Sequence, residues 1–278
     1  MKCKGNWRAK IAAVGFVLAL LAVGCALAYA AKTEVAFGHM NEHMAVNTSA
    51  VVPVGIIIPV TLGQGLSVER VQTGQEIEGR VKQDVPLTKH DKIAVKSRVV
   101  GRIVSVAKVG DGPGVDVSLR FEKIEYHNEM IPIAVSLRAM ASYQAVRAAQ
   151  TPFTGADNGT PAGWANTVQI GGDIRYGDGG EVRSRQKQKV GKGVIGGVLV
   201  HVFEQPGSGC EGPVNGDDRL QALWVFSSDA CGVYGMSGVK IVKTGKKEPM
   251  GVITLRFEKA DMEISADDAM LLRVVVGK

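Results

Sequence analysis

The residues with types and spacing suited to chemistry are few. Arg183, Arg185, Lys187, Lys189 and Lys192 form a basic run with no acidic residue between Glu181 and Glu204. Such a run is a candidate patch for an anionic ligand: a cell-wall glycan, a lipid headgroup or a phosphate. The competing reading is a solvated loop. Cys210 and Cys231 are the only cysteines beyond the first 25 residues. Their spacing is far from the C-x-x-C of redox-active pairs, so a structural disulfide is expected in an oxidising compartment. Closing a loop of about twenty residues, it contributes on the order of 3 kcal/mol.

Catalysis finds no constellation. His90 and His127 sit in polar stretches, and His201 lies inside the apolar run from Val198 to Phe203, so no histidine is placed to activate a serine on a sharp turn. Asp217-Asp218 and Asp267-Asp268 are adjacent pairs, which point to opposite faces of an extended chain rather than converging across a cleft. His39 and His43 are spaced to share a helix face, but lack the third ligand that zinc requires. Gly191-Lys192-Gly193-Val194-Ile195-Gly196 matches the dinucleotide fingerprint by letter. The preceding RSRQKQK is no buried strand, so the mechanism behind the motif is missing. The reading is therefore a non-enzymatic protein with no cofactor and no bound metal.

The compartment follows from the first thirty residues. A basic MKCKGNWRAK precedes the apolar IAAVGFVLALLAVGCALAYAA, and Ala28-Tyr29-Ala30 forms a small-x-small site with cleavage expected between Ala30 and Ala31. Two alternatives stand beside a signal peptide at 1–30. The run from Ile11 to Ala31 reaches the roughly 20 residues of a membrane anchor, and Cys25 after Ala22-Val23-Gly24 has the form of a bacterial lipidation site. The formal net charge of +6 is concentrated here: without Lys2, Lys4, Arg8 and Lys10, 29 basic residues face 27 acidic ones. That balance argues against a nucleic-acid partner.

The elements that must position any site are strands. The 35 glycines exceed the usual share of about 7% while aromatics are 5%, which suits short strands and hairpins. After a lead-in at 31–50, Ile56 to Leu62 is an apolar strand, with Pro59 marking an edge or a bulge. Ile77, Gly79, Val81, Gln83 and Val85 alternate with charged neighbours. Ile93 to Val95, Val99 to Val109 with Gly101 as a bend, Val115 to Ile124 and Met130 to Leu137 complete six strands, enough to close a small barrel or sandwich over 51–143.

In this stretch Val52 to Leu62, the segment Ser97-Arg98-Val99-Val100-Gly101-Arg102-Ile103 and Leu119-Arg120-Phe121 resemble the β-barrel domain of the TrbI-like conjugation proteins. That family contributes to the envelope-spanning pore of type IV secretion systems, so the resemblance implies a barrel and an assembly role in the cell envelope. The chain lacks the family's long proline-rich linker and its apolar helical hairpin. As a whole it resembles uncharacterised exported proteins of soil bacteria, which implies no activity.

A linker at 144–165, rich in Pro, Gly, Thr and Asn, leads to a glycine-rich β domain at 166–278 that carries the disulfide. The stretch from Ile170 to Gly193 reads as a long polar loop. Leu255-Arg256-Phe257-Glu258-Lys259 repeats Leu119-Arg120-Phe121-Glu122-Lys123, which suggests two related hairpins. The expectation is an all-β, mainly antiparallel protein: a small barrel or sandwich, then a second β-rich domain, with an N-terminal apolar signal helix. It is exported to the periplasm or beyond, membrane-attached only through its N-terminus, and its partners are envelope proteins, itself, or an anionic glycan or lipid.

Overall fold

The computed structural model describes residues 51–151, 166–176, 180–183, 187, 189–194, 197–201 and 219–277. The signal segment with Cys25, Ala30 and Ala31, the lead-in with His39 and His43, most of the linker, Arg185 and Cys210 lie outside the described residues.

The strands expected from alternation form: β1 (Ile57–Leu62), β2 (Leu66–Ser67), β3 (Glu76–Val81), β4 (Val85–Pro86), β5 (Lys92–Ile93), β6 (Arg98–Lys108), β7 (Val115–Tyr126) and β8 (Glu129–Ala141). Ser142 then caps α1 (Tyr143–Gln150), its hydroxyl accepting from the Ala145 N–H at 3.2 Å. Six short strands follow: β9 (Asn166–Val168), β10 (Ile174–Tyr176), β11 (Glu181–Arg183), β12 (Lys189–Val194), β13 (Gly197–His201) and β14 (Leu220–Ala222). The chain ends with β15 (Gly232–Tyr234), β16 (Val239–Lys243), β17 (Ile253–Phe257), β18 (Glu263–Ile264) and β19 (Ala269–Gly277).

The protein is mostly β, with a closed six-stranded antiparallel barrel and a half-barrel sheet. Around the barrel the strands run β1, β3, β6, β7, β8 and β19, which returns to β1. The sixth stave is therefore the C-terminal strand and not the Ile93 to Val95 segment, which contributes only the two-residue β5 paired with β4. Hydrogen bonding crosses the boundary read at 144–165, because β16, β17 and β19 all join the sheet begun within 51–143. The reason is apolar: Met270, Leu272 and Val274 point into the barrel, whereas Ala269 and Leu271 lie in a second core outside it. A strand buried on both faces needs layers on both sides, and only the space between β1 and β8 supplies them.

β7 and β8 pair directly only from Lys123↔Pro132 to Tyr126↔Glu129. Away from that hairpin they part, and β17 fills the gap by pairing with β7 from Ile253↔Leu119 to Phe257↔Val115. β16 follows it, and the Thr244 carbonyl accepts from the Leu137 N–H at 2.7 Å to close the opening. The repeated Leu-Arg-Phe segments thus lie on neighbouring strands, but they are not related hairpins. β8 pairs with β7, whereas β19, which follows the second copy, pairs with β1 and β8.

Pro59 occupies neither an edge nor a bulge. It sits opposite Leu271 in a strand flanked on both sides, where β3 pairs with β1 only from Val60 onward. Its carbonyl still accepts from the Lys82 N–H at 2.9 Å, so the missing N–H falls where the ladder has already ended. Gly101 meets its expectation as a bend: the β6–β7 register shifts there, and a Cβ would lie 2.1 Å from the Arg120 carbonyl oxygen.

β9 to β14 form an up-and-down meander, ordered β14-β13-β12-β11-β10-β9. The segment read as a long polar loop therefore contains three paired strands, because Val182, Val190 and Val198 supply a buried face while charged residues take the other. Gly191 and Gly193 lie in β12, paired with its neighbours on both sides, so the described part of the fingerprint is strand; Ile195 and Gly196 lie outside the described residues. The inner face packs on Ile57, Ala139, Ala141, Ala269 and Leu271; each large apolar side chain buried there contributes about 1.5–3 kcal/mol. Two glutamines pin this contact. The Ile57 N–H donates to Gln221 Oε1 at 2.9 Å, and Gln83 Nε2 donates to the Val198 carbonyl at 3.0 Å.

Candidate functional site at the barrel rim

Of the basic run, Arg183, Lys187, Lys189 and Lys192 are described, and two of them pair with one acid. Glu181 forms ion pairs with both Arg183 and Lys189, the latter at 3.0 Å, and it stands opposite Lys192 across the β11–β12 ladder. These cations hold the Glu181 carboxyl below the usual carboxylate range, Lys189 most strongly. Arg183 Nη1 also donates to the Lys187 carbonyl at 3.0 Å, which ties the turn down. Lys187 and Lys192 remain as exposed cations. Cys231 is half-buried just before β15, its N–H donating to the Tyr234 hydroxyl at 2.9 Å.

What the sequence does not reveal is a cleft of about 650 Å³ at one rim of the barrel. Three segments build it: the end of β3 with Arg80, the chain from His90 through β5 to Ser97, and the β7–β8 turn at His127 and Asn128. The turn needs left-handed backbone at both central residues to match the strand twist, and His127 and Asn128 have φ of 49° and 64°. Lys96 is left-handed too, with φ of 74°. Its N–H donates to the Val81 carbonyl at 2.7 Å, and its own carbonyl accepts from Arg80 Nη1 at 3.4 Å.

Asp91 links two of these segments. It accepts from the Tyr126 hydroxyl, and its other oxygen lies 3.3 Å from His127 Nε2. The Tyr126 bond, with help from His127, holds the Asp91 carboxyl below the usual range, while the carboxylate pushes the Tyr126 phenol up to about 12. The two contacts tie the segment before β5 to the β7–β8 turn. Tyr126 and His127 also meet edge to face, with centroids 4.1 Å apart.

The cations around the cleft are unevenly matched. Lys92 pairs with Asp84. Glu78 is shared by Arg80 at 2.6 Å and Arg98 at 2.9 Å. One Glu125 oxygen accepts from the Arg98 N–H at 3.1 Å. Among the described residues, no carboxylate reaches the Lys96 ammonium, and no three His, Cys, Asp or Glu side chains converge as a metal site. His90 and His127 were readable only as loop histidines; the signal that unites them is the pairing of β3, β6 and β7 at one end, which no local pattern encodes.

Fold and site together define an all-β barrel protein with a polar, cation-rich rim cleft. No family model, curated protein or solved structure matches the chain.

Proposed function

We propose that this is an exported, non-enzymatic protein of the cell envelope or extracellular space that acts by holding a partner, in a structural or assembly role. The observation that carries the reading is the contact at the rim, where the Asp91 carboxylate accepts from the Tyr126 hydroxyl and lies 3.3 Å from His127 Nε2, tying two loops together. The N-terminal basic and apolar segments support export, and the resemblance of Val52 to Leu62 to TrbI-like barrels points toward envelope assembly. A disulfide between Cys210 and Cys231 accords with an oxidising compartment.

Expression in a bacterial host, followed by fractionation and intact-mass measurement, tests this. The reading expects a periplasmic, membrane or extracellular product with both cysteines protected from alkylation until reduction, and a crosslinked partner in the envelope fraction. A cytoplasmic product with free thiols overturns it. The second reading, an anionic-ligand module using Arg183 to Lys192, is disfavoured by the Glu181 pairs.

A further inference from the structure

Eight large apolar side chains among the described residues are exposed, and four of them, Val51, Val54, Val95 and Met130, stand at one mouth of the barrel. The strand pairing places them there. β1 and β8 begin where β19 ends, with Ile57 opposite Arg273 and Ile133 opposite Gly277. β3 ends and β6 begins at the same mouth, with Arg80 opposite Arg98, and the β7–β8 turn completes it. Val51 and Val54 precede β1, Val95 precedes β6, and Met130 is the second residue of β8. Apolar residues exposed singly need no explanation, but here three separate connections expose aliphatic side chains at one end. The opposite mouth differs. Its connections at 63–75, 109–114 and 258–268 expose Glu69, Asp111, Glu258, Asp261, Glu263 and Asp267 against Arg70, Lys108 and Lys259. The exposed large apolar side chain beside it is Tyr143, whose ring centroid lies 5.8 Å from the Arg147 guanidinium.

We propose that the first mouth docks on the surface of a lipid bilayer, with Val51, Val54, Val95 and Met130 entering the headgroup region. The inference rests on the export reading above and names the surface against which the exported protein sits. The chain enters β1 through this mouth. Residues 32–50 separate Val51 from the run Ile11 to Ala31, which has about the 20 residues of a membrane span. A bilayer that takes up that run is the apolar surface nearest to this mouth along the chain. Aliphatic side chains with lysines beside them are what an interfacial surface requires, since the former enter the acyl boundary and the latter meet lipid phosphates. Lys89, Lys92 and Lys96 are exposed around Val95. Asp84, Asp91 and Glu125 are half-buried and accept from the Val95 N–H, the Tyr126 hydroxyl and the Arg98 N–H. In this orientation the acids of the opposite mouth point away from the anionic lipid that would repel them.

The test reconstitutes the full chain with mixed phosphatidylcholine and phosphatidylglycerol vesicles whose acyl chains carry bromine, a contact quencher of tryptophan. Met130→Trp places a reporter at the first mouth and Asp261→Trp places one at the opposite mouth. Fluorescence added over the parent should be quenched roughly threefold more at position 130 than at position 261. Adding Val54→Asp to the Met130→Trp protein should bring its quenching down to the level at position 261. Val95→Asp serves in its place if the Val54→Asp protein does not fold, as judged by circular dichroism. Equal quenching at the two positions, none at position 130, or quenching that neither aspartate reduces each overturns the docking. So does crosslinking from position 130 to an envelope protein without lipid quenching, which makes the mouth a protein interface. A cytoplasmic product with free thiols removes the export reading and this inference together. An envelope product with no quenching at position 130 removes this inference alone.

Discussion

Gly101 and Arg120 pass so closely where β6 crosses β7 that a Cβ on the glycine would sit 2.1 Å from the arginine carbonyl oxygen and 2.8 Å from the Phe121 Cα. Both obstacles are backbone, within a ladder whose register already shifts at this point. Neither can swing aside as a side chain would. Gly101→Ala is therefore expected to destabilise the protein by about 3 kcal/mol or more. Gly112→Ala, whose nearest neighbour would be the Val109 carbonyl at 3.7 Å, should fall within about 0.5 kcal/mol of the parent. Urea midpoints of the two variants provide the comparison, and equal midpoints would remove the closing bend from the account of the barrel.

Gln83 follows β3 and is buried against the half-barrel sheet. Its Oε1 accepts from the Trp224 N–H at 2.6 Å while its Nε2 donates to the Val198 carbonyl. The Val198 carbonyl also receives the Leu223 N–H at 3.0 Å, so it keeps a partner if the glutamine is lost. The Trp224 N–H does not. Gln83→Met preserves volume and removes the polar atoms, so the expected loss is about 1–3 kcal/mol, the penalty for one orphaned buried donor. Hydrogen exchange at Trp224 should accelerate in the variant, and an unchanged rate would mean that the glutamine is not what pins the sheet.

Acid should unfold the protein through its carboxylates. Arg256 holds Asp116 below the usual range through a two-pronged bond at 2.7 and 2.8 Å. At Glu122 burial pushes the pKa up, but Arg102 and Arg120 outweigh it. At Asp84 burial is likewise outweighed by Lys92 and the Val95 N–H. A carboxyl whose folded pKa is depressed contributes stability above its unfolded value, about 4, and loses that contribution as pH falls through the folded pKa. Asp268 has the opposite sign: burial raises its pKa, so protonation favours the folded state at that one site. Asp116→Asn should be less stable than the parent near neutral pH, and the deficit should shrink below about pH 4. A deficit that is constant with pH would mean that the pair is not electrostatic.

The legible parts of this fold were those with a local signature. β3, β6 and β7 alternate because one face meets the barrel core and the other meets water, and Gly101 announced its bend. β1 and β19 did not reveal their partnership, because residues buried on both faces lose alternation and become plain apolar runs; nothing near Leu271 indicates that it lies opposite Pro59. The stretch from Ile170 to Gly193 was misread as a loop since its three strands are short, glycine-rich and charged on their outer face. The rim cleft was illegible for a related reason: Asp91 and His127 are joined only after three strands have met at one end.

The basic run offers a test of how far pairing silences charge. Glu181 answers two of its cations directly and stands opposite a third, which leaves the surface less attractive to a polyanion than its composition implies. Removing the carboxylate should expose what it hides. Glu181→Gln is expected to increase salt-sensitive retention on an anionic polymer column, because Arg183, Lys189 and Lys192 then act together on a ligand rather than on an internal acid. Stability should change little, since exposed pairs contribute in the range of 0–1 kcal/mol. Strong retention of the parent, with no increase in the variant, would show that the run binds anions without hindrance and would restore it as the preferred site.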